Sequence, residues 1–275
     1  MNATTVTLLG ALAGLTIFLG LPVARARRLN RPTQGFLNAL ATGVLIFLLV
    51  DILSHAAGPL EESLGGLHRG QALPFAVLAP AYGLGLAAGL LGLTWVNRRI
   101  GQRLNDRILR GPGAAVAAAS PAAHSARILA LSIAVGLGLH NFSEGLAIGQ
   151  SAAQGAYRFF LLLVIGFGLH NITEGFGIAA PLAGATEPPS WAFLITAGLI
   201  GGGPTFLGTV IGYHVVSPYA YVLFLTLAGG ALIYVLNEML GVCKRLNGPM
   251  PLAAGLLAGF LAAAATDLLL VFVGG

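Results

Sequence analysis

Two short phrases hold the residues able to do chemistry: HNFSEG at residues 140–145 and HNITEG at residues 170–175. In each, His and Glu stand four apart, which puts both on one face of a helix, with Asn turned about a quarter of the way round. Imidazole suits zinc and iron, and carboxylate suits manganese. His140, Glu144, His170 and Glu174 therefore read as ligands for a divalent transition metal. The rest of the chain offers no Lys or Arg at this depth to neutralise two glutamates. A dication balances them while both imidazoles stay neutral, and protons substitute when it leaves, so binding should depend on pH. Polar residues also glue apolar helices together, but one or two suffice for that, and here the whole phrase is duplicated. Gly136, Gly138, Gly145, Gly166, Gly168, Gly175 and Gly177 let the two segments approach closely.

The elements that position these phrases are membrane helices. Of 275 residues, 56% are hydrophobic and 8% charged, and mean hydropathy is +0.86, against about 25% charged in soluble domains. A hydrocarbon layer about 30 Å thick takes roughly 20 apolar residues per helix. Eight stretches meet that need, near residues 4–25, 36–58, 73–97, 126–150, 157–181, 190–214, 219–241 and 250–272. The expected fold is one all-α integral membrane domain over residues 1–275. The phrases fall mid-span in the fourth and fifth stretches, antiparallel neighbours joined near 151–156, so the four ligands are expected to meet at one depth.

Charge sets the expected orientation. Basic residues follow the first span instead of preceding it, which marks an uncleaved span and not a signal peptide. Arg25, Arg27, Arg28, Arg31, Arg98, Arg99, Arg103, Arg107, Arg110, Arg127, Lys244 and Arg245 fall on one side, and Arg69 and Arg158 on the other. By the positive-inside rule both termini lie on the extracytoplasmic side. Residues 98–125, with GPGAAVAAASPAA, read as a flexible cytoplasmic loop. The net charge of +5 is thus a matter of topology; it implies anionic lipid headgroups as neighbours and no nucleic acid. Cys243 is alone, which rules out a disulfide framework within the chain or a cysteine metal cluster.

Residues 40–53 overlay residues 227–240 without a gap, Asp51 opposite Glu238, in spans of opposite direction. That suggests an inverted repeat of spans one to three and six to eight around spans four and five. Asp51 and His55 on span two, Asp267 on span eight and His214 on span six read either as an entrance that attracts cations or as solvated interfacial groups. Glu238 reads as an exit residue or a partner for Lys244 or Arg245. Glu61, Glu62 and His68 read as a solvated turn.

HNFSEG in the fourth of eight spans and HNITEG in the fifth resemble the signature of the ZIP family of divalent-metal transporters, which typically reads HNxPEG in both places. The stretch ending at Asp51, the AGGALIYVLNE of span seven and the stretch ending at Asp267 are similar to family positions too. The resemblance, to a bacterial-type member, implies a 3+2+3 helical arrangement, a homodimer and alternating access of an elevator kind. It implies His140, Glu144, His170 and Glu174 as primary ligands with Asn141 and Asn171 alongside. Three departures stand out: Ser143 and Thr173 replace the prolines, Gly203 precedes Pro204 where the family often has glutamate, and Asn171 stands where some members have Asp. Members that bind two metals use those carboxylates, so a single site, or a weak second one beside it, is expected.

The function these readings give is transport of a divalent transition metal, zinc foremost and also iron, manganese or cadmium, into the cytoplasm across the plasma (inner) membrane. The metal is substrate; no prosthetic group is expected, and no ATP-binding loop is present. Competing readings use the same ligands. An intramembrane metal-dependent hydrolase needs an asymmetric site with a spare base, which near-identical phrases do not offer. A di-iron bundle uses Glu-x-x-His, not His-x-x-x-Glu. A metal-binding sensor, or a scaffold that binds no ion, is the remaining alternative.

Overall fold

The computed structural model describes residues 1–26, 30–67, 69–109, 121–183, 185, 187–215 and 217–274. Among these there are helices and no strands. Eight membrane-length helices follow one another: α1 (Ala3–Arg25), α2 (Arg31–Leu67), α3 (Ala72–Leu109), α4 (Pro121–Ala153), α5 (Tyr157–Leu182), α6 (Trp191–His214), α7 (Pro218–Leu246) and α8 (Pro249–Gly274). Each contains a stretch long and apolar enough to cross a bilayer.

Local sequence starts and stops them. Asn2, Ser190 and Ser217 accept hydrogen bonds from the amides of Thr5, Phe193 and Ala220, closing the open N-termini of α1, α6 and α7. Pro218 occupies the first position of α7, where a missing N–H costs nothing. α1 is interrupted at Thr16, whose hydroxyl lies 2.7 Å from Ala13 O and 2.6 Å from Gly168 O of α5. Its final turn, Leu21–Arg25, is a 3₁₀ helix containing Pro22.

α2 is longer than its apolar stretch, so Glu61 and Glu62 lie exposed on its last turns and not in a turn between helices, a correction to the sequence reading. His68 lies outside the described residues, as do Arg27 and Arg28. Of the expected loop 98–125, residues 98–109 continue α3 and 121–125 open α4, while 110–120 lie outside the described residues.

The helices sort into two groups, α1, α4, α5 and α6 against α2, α3, α7 and α8. Glycines show where each group is locked. A Cβ at Gly14 or Gly20 of α1, Gly145 or Gly149 of α4, or Gly208 of α6 would fall within 3.0 Å of another helix of the same group. So would one at Gly43 of α2, Gly89 of α3 or Gly259 of α8 in the second group. Backbones touch there, and no side chain fits between them. The surface between the groups is different. A Cβ at Gly136 of α4 would lie 3.6 Å from Val235 of α7, and one at Gly177 of α5 would lie 4.0 Å from Leu45 of α2, ordinary van der Waals spacing.

α4 and α5 are the helices that pack closely against the second group, with α1 and α6 behind them. Exchanging α1 with α6, α2 with α7, α3 with α8 and α4 with α5 turns the most closely packed pairs into one another, although α2 with α3 and α5 with α8 pack more closely than their counterparts. The bundle therefore has two ends. One carries both chain termini, and the other carries Arg25, Arg31, Arg98, Arg99, Arg127, Lys244 and Arg245. At this basic end, Arg25 lies 4.9 Å over the Trp191 ring and Arg99 5.1 Å over Trp95, pairs suited to a membrane surface.

Candidate metal centre

α4 and α5 are joined by a tight turn in which Gly155 has φ of +75°, a conformation glycine adopts without strain. The short connection forces the helices to run antiparallel, and the two phrases face each other halfway along. Neither helix breaks within its phrase. Ser143 Oγ donates to Leu139 O at 3.4 Å, and Thr173 Oγ1 to His170 O at 2.7 Å, so both hydroxyls are turned back on their own helices.

His140, His170 and Glu174 converge: one ligand atom from each lies within 4.8 Å of the other two, and all three residues are buried. His140 Nε2 is 3.8 Å from Glu174 Oε1 and 3.2 Å from Glu144 Oε1. Glu144 meets His140 but does not join the three-residue cluster, so three of the four side chains expected at one depth converge and Glu144 is set to one side. His140 Nδ1 and Nε2, His170 Nε2, Glu174 Oε1 and Glu144 Oε2 are buried without hydrogen-bond partners. Orphaned buried groups of this kind are costly, and His140 Nε2 and Glu174 Oε1 stand only 3.8 Å apart.

Asn141 and Asn171 hold the cluster from behind. Asn141 Nδ2 is within hydrogen-bond distance of Glu174 Oε2 at 2.7 Å, Asn171 Oδ1 at 2.7 Å and Gly201 O of α6 at 3.0 Å. Asn171 Nδ2 donates to Ala13 O of α1 at 3.1 Å. The two amides thereby tie all four helices of the first group together and fix one oxygen of Glu174, leaving the other free to meet a cation. The carbonyls of Ala13 and Gly201 escape a sequence reading, because a backbone oxygen has no residue-type signature.

A cavity of about 600 Å³ runs from His140 and Glu144 along α4 to Gln154 and Ala156, at the end that carries the termini. Asp51 and His55 of α2 and Asp267 of α8 line it as well, so three of the five outlying acidic and His residues gather along one passage. His55 Nδ1 is 3.2 Å from Asp51 Oδ1. Tyr221 and Gln150, which no motif marks, add polar atoms to the wall. His214 is not among the lining residues; it is exposed at the end of α6, edge-on to Tyr213 at 5.2 Å. Glu238 is exposed on α7 and forms no ion pair with Lys244 or Arg245 among the described residues, so it is neither their partner nor part of this passage.

The model of the ZIP zinc transporter family matches residues 101–264, more than half of the chain and the part that carries both phrases. The chain belongs to the ZIP family. It is an integral membrane metal transporter, in a family of transporters and not of enzymes. No curated protein matches it.

Where the chain departs from the usual ZIP phrase, packing does not impose the change. A Cβ at Gly203 would meet nothing within 4 Å, so there is room at this position for a side chain that this ZIP protein does not use. Ser143 and Thr173 keep the backbone amide that a proline would have removed, and their hydroxyls turn back to carbonyls of the preceding turn.

Proposed function

We propose that this ZIP protein carries one divalent transition-metal ion at a time, zinc foremost, with Fe²⁺, Mn²⁺ and Cd²⁺ as further substrates, from the cavity end to the basic end. The observation that carries the reading is a buried His140, His170 and Glu174 cluster with orphaned ligand atoms, beside a cavity that extends to Gln154 and Ala156. With the basic end toward the cytoplasm, as the positive-inside rule favours, the direction is import across the plasma membrane and both termini are extracytoplasmic.

Asp51, His55 and Asp267 draw the hydrated ion inward. Glu144 and His140, which line the cavity, take it first, and His170 and Glu174 complete the set as water is shed. Asn141 and Asn171 orient the ligands. Release follows when α1, α4, α5 and α6 move as one body against the other four helices. Glycine locking within each group and ordinary spacing between them support such a movement. Two such chains associating through the second group would form a homodimer around a fixed frame.

Uptake by purified protein in liposomes, with Zn²⁺, Fe²⁺, Mn²⁺ and Cd²⁺ offered in turn, tests the reading, and the preferred ion names the substrate. Tight binding of one ion without uptake of any would sink transport and leave a sensor. Metal must displace protons from a site that needs neutral imidazoles and ionised carboxylates. Adding Zn²⁺ to the detergent-solubilised protein in weak buffer should therefore release protons. Apparent affinity should fall at least about tenfold between about pH 7.5 and about pH 5.5. Affinity independent of pH over that range would mean that the ion sits elsewhere.

A further inference from the structure

Among the described residues, the side-chain hydrogen bonds across the surface between the two helical groups lie at one end. Three such bonds cross that surface. Gln34 Nε2 donates to Ala183 O at 2.6 Å, Asn38 Nδ2 to Ala180 O at 3.2 Å, and Asn97 Nδ2 to Ser132 Oγ at 2.7 Å. The donors belong to α2 and α3 of one group, and the acceptors to α4 and the end of α5 in the other. All three bonds lie toward the basic end. At the other end the same groups stand apart across the cavity.

The acceptors explain why bonds form here. The last carbonyls of a helix have no partner within it, and α5 ends in a 3₁₀ turn, Ala180–Leu182, where Ala180 and Ala183 are fully buried. Ala180 O already accepts from Ala183 N at 3.2 Å, and Asn38 adds a second donor to it, while Gln34 supplies a donor to the buried Ala183 oxygen. The donors are themselves held in their own group. Asn247 of α7 donates to Gly35 O at 2.9 Å, between the two α2 amides, and Asn38 also reaches Gln34 O at 2.8 Å. Beside the Asn97 bond the groups flank an open apolar pocket of about 260 Å³, lined in part by Val96, Ile128, Leu227 and Ala231, so tight packing does not reinforce that bond. Each donor is a neutral amide. Water can replace such a bond without exposing an unpaired ion, which suits contacts that must open and close repeatedly.

We propose that Gln34, Asn38 and Asn97 form a latch that keeps the basic end shut while the cavity end is open, and that its release lets the metal leave. The proposal rests on the alternating-access reading above. When the first group moves, the three bonds break together and entering water takes over the Ala180 and Ala183 carbonyls. Loss of one latch bond should favour the state open at the basic end by about fivefold.

Val235 gives a readout that needs no metal, because it is fully buried and lies against Gly136 across the surface between the groups. In a Cys243→Ala background, Val235→Cys should react with a membrane-impermeant maleimide added at the basic side at least about fivefold faster when Gln34→Ala and Asn38→Ala are added. An unchanged rate overturns the latch. A second measurement uses Asn97→Cys with Ser132→Cys, joined by a short reducible thiol cross-linker. Bridged protein should still bind Zn²⁺ from the cavity end but stop importing it, and reduction should restore import. Undiminished import by bridged protein also overturns the latch. The two readings fail separately. Import by the wild type with unchanged labelling removes the latch alone, whereas faster labelling in a protein that imports no ion removes transport and supports the latch.

Discussion

Glu174→Ala is expected to lower Zn²⁺ affinity by more than about 100-fold and to abolish import, in protein that still runs as a single species on size exclusion. Changes to groups that merely orient ligands typically cost 10–100-fold in metal affinity. Glu174 is placed more centrally than that: one oxygen meets His140, and the other is fixed by Asn141. It is also fully buried, so no water can take over its role cheaply. Glu174→Gln separates charge from shape, since it keeps the volume and one oxygen while removing the anion. It should bind nearly as poorly as the alanine variant. Asp51→Asn, on the cavity wall, should bind at the centre almost normally and import a few-fold more slowly at low metal concentration. Near-normal import by Glu174→Ala, measured by liposome uptake, would remove the proposed site.

The second large effect concerns assembly. Gly208→Val should largely prevent recovery of folded protein, because a Cβ there would lie 2.9 Å from Leu146 N, 3.0 Å from Gly145 Cα and closer still to Phe142 O. Overpacking of a core typically costs 1–3 kcal/mol. The obstacle here is backbone that cannot turn aside, so a cost of about 3 kcal/mol or more is expected. Gly136→Ala is the contrasting change, its nearest neighbour 3.6 Å away across the boundary between the groups. That variant should melt within a few degrees of the wild type in a fluorescence thermal scan. Comparable melting of the two variants would mean that glycine approach does not separate locked from sliding surfaces.

The sequence carried the spans and the heart of the site because both rest on strong local signals. A run of twenty apolar residues has few alternatives to a membrane helix, and His and Glu four apart share a face wherever that helix sits. Asp51, His55 and Asp267, which the sequence left as either entrance or solvated interfacial groups, line the cavity, since charge on an apolar helix is retained where water can reach it. Rotation about the helix axis was not legible. Lipid and protein interiors are equally apolar, so hydrophobic periodicity does not say which face of a span looks inward. That is why His214, correctly set at the end of α6, does not face the passage, and why the offset of Glu144 from the three-residue cluster had no sequence signal. The glycines of GLIGGGPTFLG carried no packing expectation, and the structure sets Gly202 against α1 and Gly208 against α4. Gln34, Asn38 and Asn97 gave no signal at all, since their meaning depends on helices distant in sequence.

Glu144 and Glu174 have no Lys or Arg partner among the described residues, which has an electrical consequence. On the transport reading, a site loaded with a dication crosses the membrane neutral, and an empty one returns with two negative charges or with two protons in their place. The cavity brings solution up to His140 and Glu144, so most of an applied voltage falls across the closed basic half. Moving one elementary charge through 100 mV is worth about 2.3 kcal/mol. Voltage therefore has little purchase on the loaded crossing and considerable purchase on the empty return. A negative interior pushes bare carboxylates outward and has no hold on protonated ones. The species that makes the return trip decides whether import draws on membrane potential or on the proton gradient.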